Sequence, residues 1–327
     1  MIRAGVLGTG SYLPERVLDN RELADRFGCS EDWILTRTGI RERRFAEPGT
    51  GSSDLGLIAA RQALAASGVT ARELDLIICA TYTPDMAFPS TACLIQDGLG
   101  AKPAAAFDLQ AACSGFVYAL VTAAQYIAAG NLRYGLVVAA DVNSTIVDPM
   151  DQKVTPLFGD GAGAVVVGRV EGDSGLVGFH LGADGGGGGL FFMPAGGSRR
   201  PATFETVEAR EHYIKMDGPS LFRFGVDAMV QSSRNALDRA GLSVDVVDLF
   251  IPHQANLRII DAGLERLGIP KDKTLVTLDR FANTAAASIP IALDEAARGR
   301  RLQPGMHVLL TGFGAGLTWG SAVLKWT

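Results

Sequence analysis

The chain has 327 residues, 47% of them hydrophobic, with a mean hydropathy of +0.19, which is enough apolar material for a large core and a prior of about two domains. Its 30 Lys and Arg against 35 Asp and Glu leave a net charge of −5; this excludes a disordered chain and argues against a nucleic-acid binder, which needs an excess of cations. Glycine is the outlier, at 40 residues, well above the usual share of about 7%.

In chain order, Met1–Gly8 reads as a first strand, without the charged and apolar regions of a signal peptide. The longest apolar runs, such as Gly135–Ala140, are strand-sized, far short of the ~20 residues of a membrane span. Cys29, Cys79, Cys93 and Cys113 have no C-x-x-C spacing, so neither a zinc site nor a redox pair is expected. They read as reduced thiols of a cytoplasmic protein, three of them inert core residues.

Arg61–Gly68, a helix end, and the strand Leu74–Ile78 return as Arg234–Gly241 and Val247–Ile251, both 173 residues later. The correspondence extends further. A helix from Cys113 to Gly130 leads into a strand at Leu136–Ala140, as a helix from Asn283 to Gly299 leads into Val308–Thr311. Each of these strands is followed by a glycine-rich turn, Gly159–Gly163 and Gly312–Gly316. Helices alternating with wholly apolar strands imply sheets covered on both faces. The fold class expected is therefore α/β, built from two copies of one plan, residues 1–175 and 176–327. Between Gly182 and Glu211 the pattern breaks. Asp184 and the five-glycine run Gly185–Gly189 read as a surface excursion, with a mobile flap as the alternative.

Three residues at element ends carry the chemistry. Cys113, in Leu109-Gln-Ala-Ala-Cys-Ser-Gly-Phe-Val-Tyr118, falls between an apolar strand and a helix. Unpaired amides and the helix dipole there favour thiolate over thiol, although a lone Cys is more often a small buried hydrophobe. His253 follows the apolar strand of the second copy. Asn283, in Asp279-Arg-Phe-Ala-Asn-Thr-Ala-Ala-Ala-Ser-Ile-Pro290, would ordinarily be a helix cap. It occupies nearly the position of Cys113 in the other copy. Strand and helix ends from both copies can share one crevice, where a nucleophile with two donors suits thioester chemistry.

With these residues in view, the chain resembles the β-ketoacyl-acyl carrier protein synthase III family of the thiolase-like condensing enzymes. The resemblance is carried by Gly8-Thr-Gly-Ser-Tyr-Leu-Pro14, Asp32-Trp-Ile-Leu-Thr-Arg-Thr-Gly-Ile-Arg-Glu-Arg43, Ala87-Phe-Pro-Ser90 and Ala111-Ala-Cys-Ser-Gly115. It continues through Phe158-Gly-Asp-Gly-Ala-Gly-Ala164, Pro252-His-Gln-Ala-Asn-Leu-Arg-Ile-Ile260, Val276-Thr-Leu-Asp-Arg280 and Thr318-Trp-Gly-Ser321.

The resemblance implies a thiolase-like fold of α-β-α-β-α layers and a homodimer with no metal or redox cofactor. It implies that Cys113 takes an acyl group from acyl-CoA. His253 and Asn283 would then hydrogen-bond the thioester oxygen of malonyl-acyl carrier protein as CO₂ leaves. The Cys113 amide and one from Gly314, Ala315 or Gly316 would form the oxyanion hole. By the same resemblance Trp33 and Arg37 meet the CoA nucleotide, with Gln152 where an arginine is frequent. Ala255 and Asn256 meet the pantetheine, and Phe222 lies at the tunnel mouth. Phe88 enters the partner subunit's acyl pocket, and Arg223, Arg258 and Arg266 receive the acidic carrier protein. Besides Gln152, the sequence departs from the family pattern at Phe281-Ala282, Ala285 and Ala315. The rival readings are a starter-unit condensing enzyme or acyltransferase of polyketide or secondary metabolism, and a catalytically silent acyl-CoA or carrier-protein binding module.

Overall fold

The computed structural model describes residues 3–327; Met1 and Ile2, expected to start the first strand, lie outside them. Nine strands form two sheets. In the first, β1 (Arg3–Tyr12), β2 (Leu76–Ala80), β3 (Ala105–Leu109), β4 (Tyr134–Asp141) and β5 (Gly161–Val170) take the order β1-β5-β4-β2-β3. The strands β4, β2 and β3 run parallel, while β5 is antiparallel to both its neighbours. In the second, β6 (Gly175–Ala183), β7 (Leu249–Pro252), β8 (His307–Gly314) and β9 (Thr318–Lys325) take the order β6-β9-β8-β7, with β8 and β7 parallel.

The second sheet repeats the first. Strands β2 and β7, like β4 and β8, begin 173 residues apart, as the sequence repeat requires. A fifth strand is reduced to one parallel bridge, Phe250 to Thr274, backed by the Leu275 N–H donating to the Phe250 carbonyl at 2.9 Å.

Five helices complete five layers. The outer ones are α1 (Ser52–Ser67) on the first sheet and, on the second, α3 (Gly218–Ala240) with α4 (Leu257–Leu267) packed against it. Between the sheets lie α2 (Gly115–Ala128) and α5 (Ser288–Arg298). Position explains composition. Enclosed between two sheets, α2 buries Phe116, Val117, Leu120, Val121 and Ile127 around much of its circumference, as a helix without a solvent face must. The strand β2, covered on both faces, is buried at every residue.

The halves interlock. The helix α5 of the second half lies against β1 and β5 of the first. Its buried Asp294 accepts hydrogen bonds from the Thr9 and Ser11 hydroxyls at 2.8 and 2.6 Å.

Several expectations are corrected. Neither long helix begins at its functional residue: a 3₁₀ turn, Ala112–Ser114 or Ala285–Ala287, precedes α2 and α5. Cys113 and Asn283 are therefore not mates. The repeat pairs Cys113 with Ala286, three residues beyond Asn283. Of the three cysteines expected to be inert and buried, only Cys79 is buried, while Cys29 is half-buried and Cys93 exposed.

The region after Gly182 is more than a surface excursion. It carries a 3₁₀ turn (Gly185–Leu190), a two-stranded ribbon pairing Phe191 and Phe192 with Met216 and Lys215, and a helical turn (Phe204–Glu208). Its side chains Phe191 and Met216 form part of a cavity wall. One glycine of the run gains a reason: a Cβ on Gly187 would stand 2.4 Å from the Leu317 side chain. Among the described residues no helix is long and apolar enough to cross a membrane.

Candidate active site

A cavity of about 510 Å³ opens at the C-terminal ends of the central strands, and Cys113, His253 and Asn283 all line it. Cys113 reaches it from the 3₁₀ turn ahead of α2. The turn is entered through Ala112, held at a left-handed φ of 43°, a conformation that costs a residue with a Cβ about 1–2 kcal/mol. Opposite, at the end of β8, Gly314 approaches so closely that a Cβ there would stand 2.8 Å from the Cys113 nitrogen and 2.9 Å from its Cβ. The absence of a side chain at 314 therefore leaves space beside the Cys113 amide.

His253 follows β7, its amide donating to the Thr311 carbonyl at 2.7 Å. The ring is buried and meets the Phe313 ring edge-on at 5.3 Å. Its Nδ1 is buried without a partner.

Asn283 is clamped by its backbone. Its N–H donates to the Leu157 carbonyl at 2.9 Å and its carbonyl accepts from the Gly159 N–H at 3.0 Å. The close approach explains Gly159, where a Cβ would stand 2.5 Å from the Phe281 carbonyl. The Asn283 Oδ1 accepts from the Ala285 N–H at 2.8 Å. That bond identifies the oxygen end of the amide and leaves Nδ2 as the donor available to the cavity. Asn283 thus closes a local turn and does not cap α5.

The electrostatics revise one expectation. The helix start does not make Cys113 a resting thiolate. Burial raises its thiol well above the ordinary range, the Asp141 charge adds to this, and only its own amide opposes them. Burial also lowers His253, to about 3. Both groups are uncharged in the resting site, and the imidazole keeps one N–H to donate.

The cavity brings together nine of the residues singled out in the sequence: Cys113, His253, Asn283, Gly314, Phe222, Ala255, Asn256, Arg223 and Arg258. Asn256 already has structural work. Its Oδ1 caps α4 by accepting from the Arg258 N–H at 2.9 Å, and its Nδ2 donates to the Arg37 carbonyl at 3.0 Å. Arg37 in turn stacks 4.4 Å from the Trp33 ring centroid, so this pair borders the cavity through Asn256 without lining it. Ala315, Gly316, Gln152 and Phe88 also lie outside the lining. Phe88 is 84% exposed. Arg266 sits in the last turn of α4, paired with Asp227 at 2.6 Å.

Sequence reasoning missed the apolar walls: Leu157, Phe158, Phe191, Met216, Phe224, Ile259 and Phe313. The run Leu190-Phe-Phe-Met193 after five glycines was the available signal for Phe191.

Duplicated α/β halves in five layers, with a cysteine, a histidine and an asparagine meeting between them, define a thiolase-like condensing enzyme. Family models described as 3-oxoacyl-[acyl-carrier-protein] synthase III, and its C-terminal region, match residues 107–185 and 237–326. The chain is 51% identical over 326 residues to a β-ketoacyl-[acyl-carrier-protein] synthase III of Caldanaerobacter subterraneus, covering 100% of this chain and 98% of that one. The crystal structure of 3-oxoacyl-[acyl-carrier-protein] synthase III from Aquifex aeolicus is similar at 44% identity and a TM-score of 0.91, covering 99% of this chain and 100% of that one. The priming β-ketosynthase of the R1128 polyketide biosynthetic pathway is similar at 39% identity and a TM-score of 0.92, covering 99% of this chain and 96% of that one. The chain belongs to the β-ketoacyl-[acyl-carrier-protein] synthase III family, and it is an enzyme of the acyltransferase type.

Proposed function

We propose that the enzyme condenses an acyl primer with a malonyl thioester, as the first carbon–carbon bond-forming step of fatty-acid synthesis. The convergence of the buried Cys113, His253 and Asn283 on one cavity carries this reading. The Cys113 sulfur attacks the carbonyl of an acyl-CoA. The new C–S bond forms, the bond to CoA breaks, and the thiol proton leaves with the CoA sulfur, giving acyl-Cys113 and free CoA. The Cys113 amide, in the space left by Gly314, holds the oxyanion.

Malonyl-acyl carrier protein enters next. Its C–C bond to the carboxylate breaks, CO₂ departs, and the electron pair becomes an enolate whose oxygen accepts from the His253 and Asn283 N–H groups. The enolate carbon attacks the acyl-Cys113 carbonyl, the C–S bond breaks to free the 3-oxoacyl thioester, and the released sulfur takes up a proton from solvent to return to the thiol. Both donors are neutral, so burying them carries no ionic desolvation cost. His253→Ala and Asn283→Ala enzymes are therefore expected to load an acyl group on Cys113 but to lose malonyl decarboxylation.

The exposed guanidinium groups of Arg223 and Arg258 at the cavity offer an acidic carrier protein a local cationic rim on an acidic chain. Arg266, occupied by Asp227, is left out of that rim. Trp33 and Arg37 are assigned to the CoA nucleotide, and the exposed Phe88 to the acyl pocket of the partner in a homodimer. Gln152 lies in the turn after Asp148, away from the cavity lining.

Labelled acetyl-CoA with malonyl-acyl carrier protein tests the reading. A labelled 3-oxoacyl product is expected, and its absence would overturn the fatty-acid assignment. The similarity to a priming β-ketosynthase of a polyketide pathway favours one second reading, a starter-unit enzyme. Retention by Cys113 of another acyl group, in preference to acetyl from a mixture of acyl-CoAs, would support it.

A further inference from the structure

We propose that Asp141 is a positioning residue for the condensation half of the reaction: through the Ala286 amide it fixes the turn that aims the Asn283 side chain into the cavity. The inference rests on the role proposed above for Asn283.

Asp141 ends β4, is fully buried, and is absent from the cavity lining, so it touches no substrate. Its carboxylate is unevenly loaded. Oδ1 accepts from the Thr81 hydroxyl at 3.0 Å, the Tyr82 N–H at 3.0 Å and the Thr83 hydroxyl at 3.1 Å. Oδ2 accepts one bond, from the Ala286 N–H across the molecule at 3.2 Å. The preceding amide, Ala285, donates to the Asn283 Oδ1 at 2.8 Å. Ala285 is held at a left-handed φ of 51°, a conformation an alanine keeps only when its surroundings impose it. Asp141 supplies such a restraint, and from it the chain of contacts runs through two consecutive amides to the oxygen end of Asn283.

The internal repeat gives independent support. Ala286 is the mate of Cys113, Ala285 the mate of the left-handed Ala112, and Asp141 the mate of Gly314. In the catalytic half the missing side chain at 314 leaves the Cys113 amide open. In the other half the Asp141 carboxylate occupies the corresponding place and takes the corresponding amide. A carboxylate thus stands permanently where the active half would receive a thioester oxygen, converting a second potential site into a clamp.

Asp141→Asn tests the proposal at constant volume. Three donors hold the Oδ1 position, so the Asn oxygen belongs there and its NH₂ group faces the Ala286 N–H, donor against donor. The expected result is acyl loading of Cys113 within about twofold of wild type, with malonyl decarboxylation reduced ~30-fold, the scale of a buried amide losing its acceptor. In D141N/N283A the loss is expected to be no greater than in N283A alone, because both act on one donor. Thr83→Ser keeps the hydroxyl that donates to Oδ1 and accepts from the Val142 N–H, leaves the Ala286 bond, and should change neither half-reaction by more than about threefold.

Ala285→Gly frees the same turn without touching Asp141; it should give the same split at smaller size and serves if D141N does not fold. Equal losses of loading and decarboxylation in D141N, no loss of decarboxylation, or full additivity with N283A would each overturn the proposal. N283A that still decarboxylates normally would instead overturn the role of Asn283, and with it the basis of this one.

Discussion

The two halves enter their central helices in the same way and differ in the side chains they place at the entry. Each entry is a 3₁₀ turn opened by a left-handed alanine, Ala112 at 43° and Ala285 at 51°. In one half the next residue is Cys113 and the facing strand ends in Gly314; in the other the pair is Ala286 and Asp141. The shared backbone presents an amide at a helix start to the end of the facing strand. One copy places a sulfur beside an empty space there, the other a methyl beside a carboxylate. Under the proposed mechanism, two side-chain differences laid over a common strained turn decide which half takes the acyl group.

The largest effect is expected from filling the space beside the Cys113 amide. Gly314→Ala places a methyl 2.8 Å from the Cys113 nitrogen. It should lower acyl loading by about 10²–10³, the cost of an oxyanion-hole donor, when loading is tracked by intact-protein mass. Loading close to wild type would mean that the Cys113 amide does not hold the oxyanion.

Ionisation separates the halves next. With its thiol raised by burial, free Cys113 is protonated at neutral pH, and its thiolate fraction rises with pH. Alkylation of Cys113, read by peptide mass to exclude exposed Cys93, should climb about tenfold per pH unit from about 6 to 9. A plateau at neutral pH would indicate a resting thiolate instead. His253, lowered to about 3, gains its proton only as pH falls toward that value, so decarboxylation should show no histidine inflection between about pH 5 and 8.

Smaller effects are expected at the rim. Arg258→Glu should raise the KM for malonyl-acyl carrier protein about tenfold at low salt and leave a small malonyl thioester unaffected. Smallest is a contrast within the segment that interrupts the repeat. Gly187→Ala meets Leu317 at 2.4 Å, whereas a Cβ on Gly189 meets nothing within 4 Å. The first should destabilise the protein by about 1–3 kcal/mol in denaturant unfolding, and the second by less than about 0.5 kcal/mol.

Much of this was legible in the sequence. Apolar strands and helix ends recurring at one offset carried the layered fold, and Cys113, His253 and Asn283 could be singled out from their places at element ends. What escaped depends on contacts far apart in the chain. Nothing local marks Ala112 or Ala285 as left-handed, because alanine has no preference for that region; the surrounding packing imposes it. The helix-start argument for a thiolate was sound locally and lost to burial by both halves. Asp141 reads as an ordinary strand end until its bond to Ala286 is seen. The glycine run reads as a loop because the aromatic wall it delivers, Phe191, is placed by pairing with Met216 more than twenty residues on.

The division of labour between the halves is tested most directly by measuring both half-reactions on three variants. After exposure to acyl-CoA, H253A and N283A should gain the mass of one acyl group and C113A should not. Given malonyl-acyl carrier protein, H253A and N283A should release CO₂ at least about 10²-fold more slowly than wild type. Acylation of C113A, or normal CO₂ release by both H253A and N283A, would contradict the account.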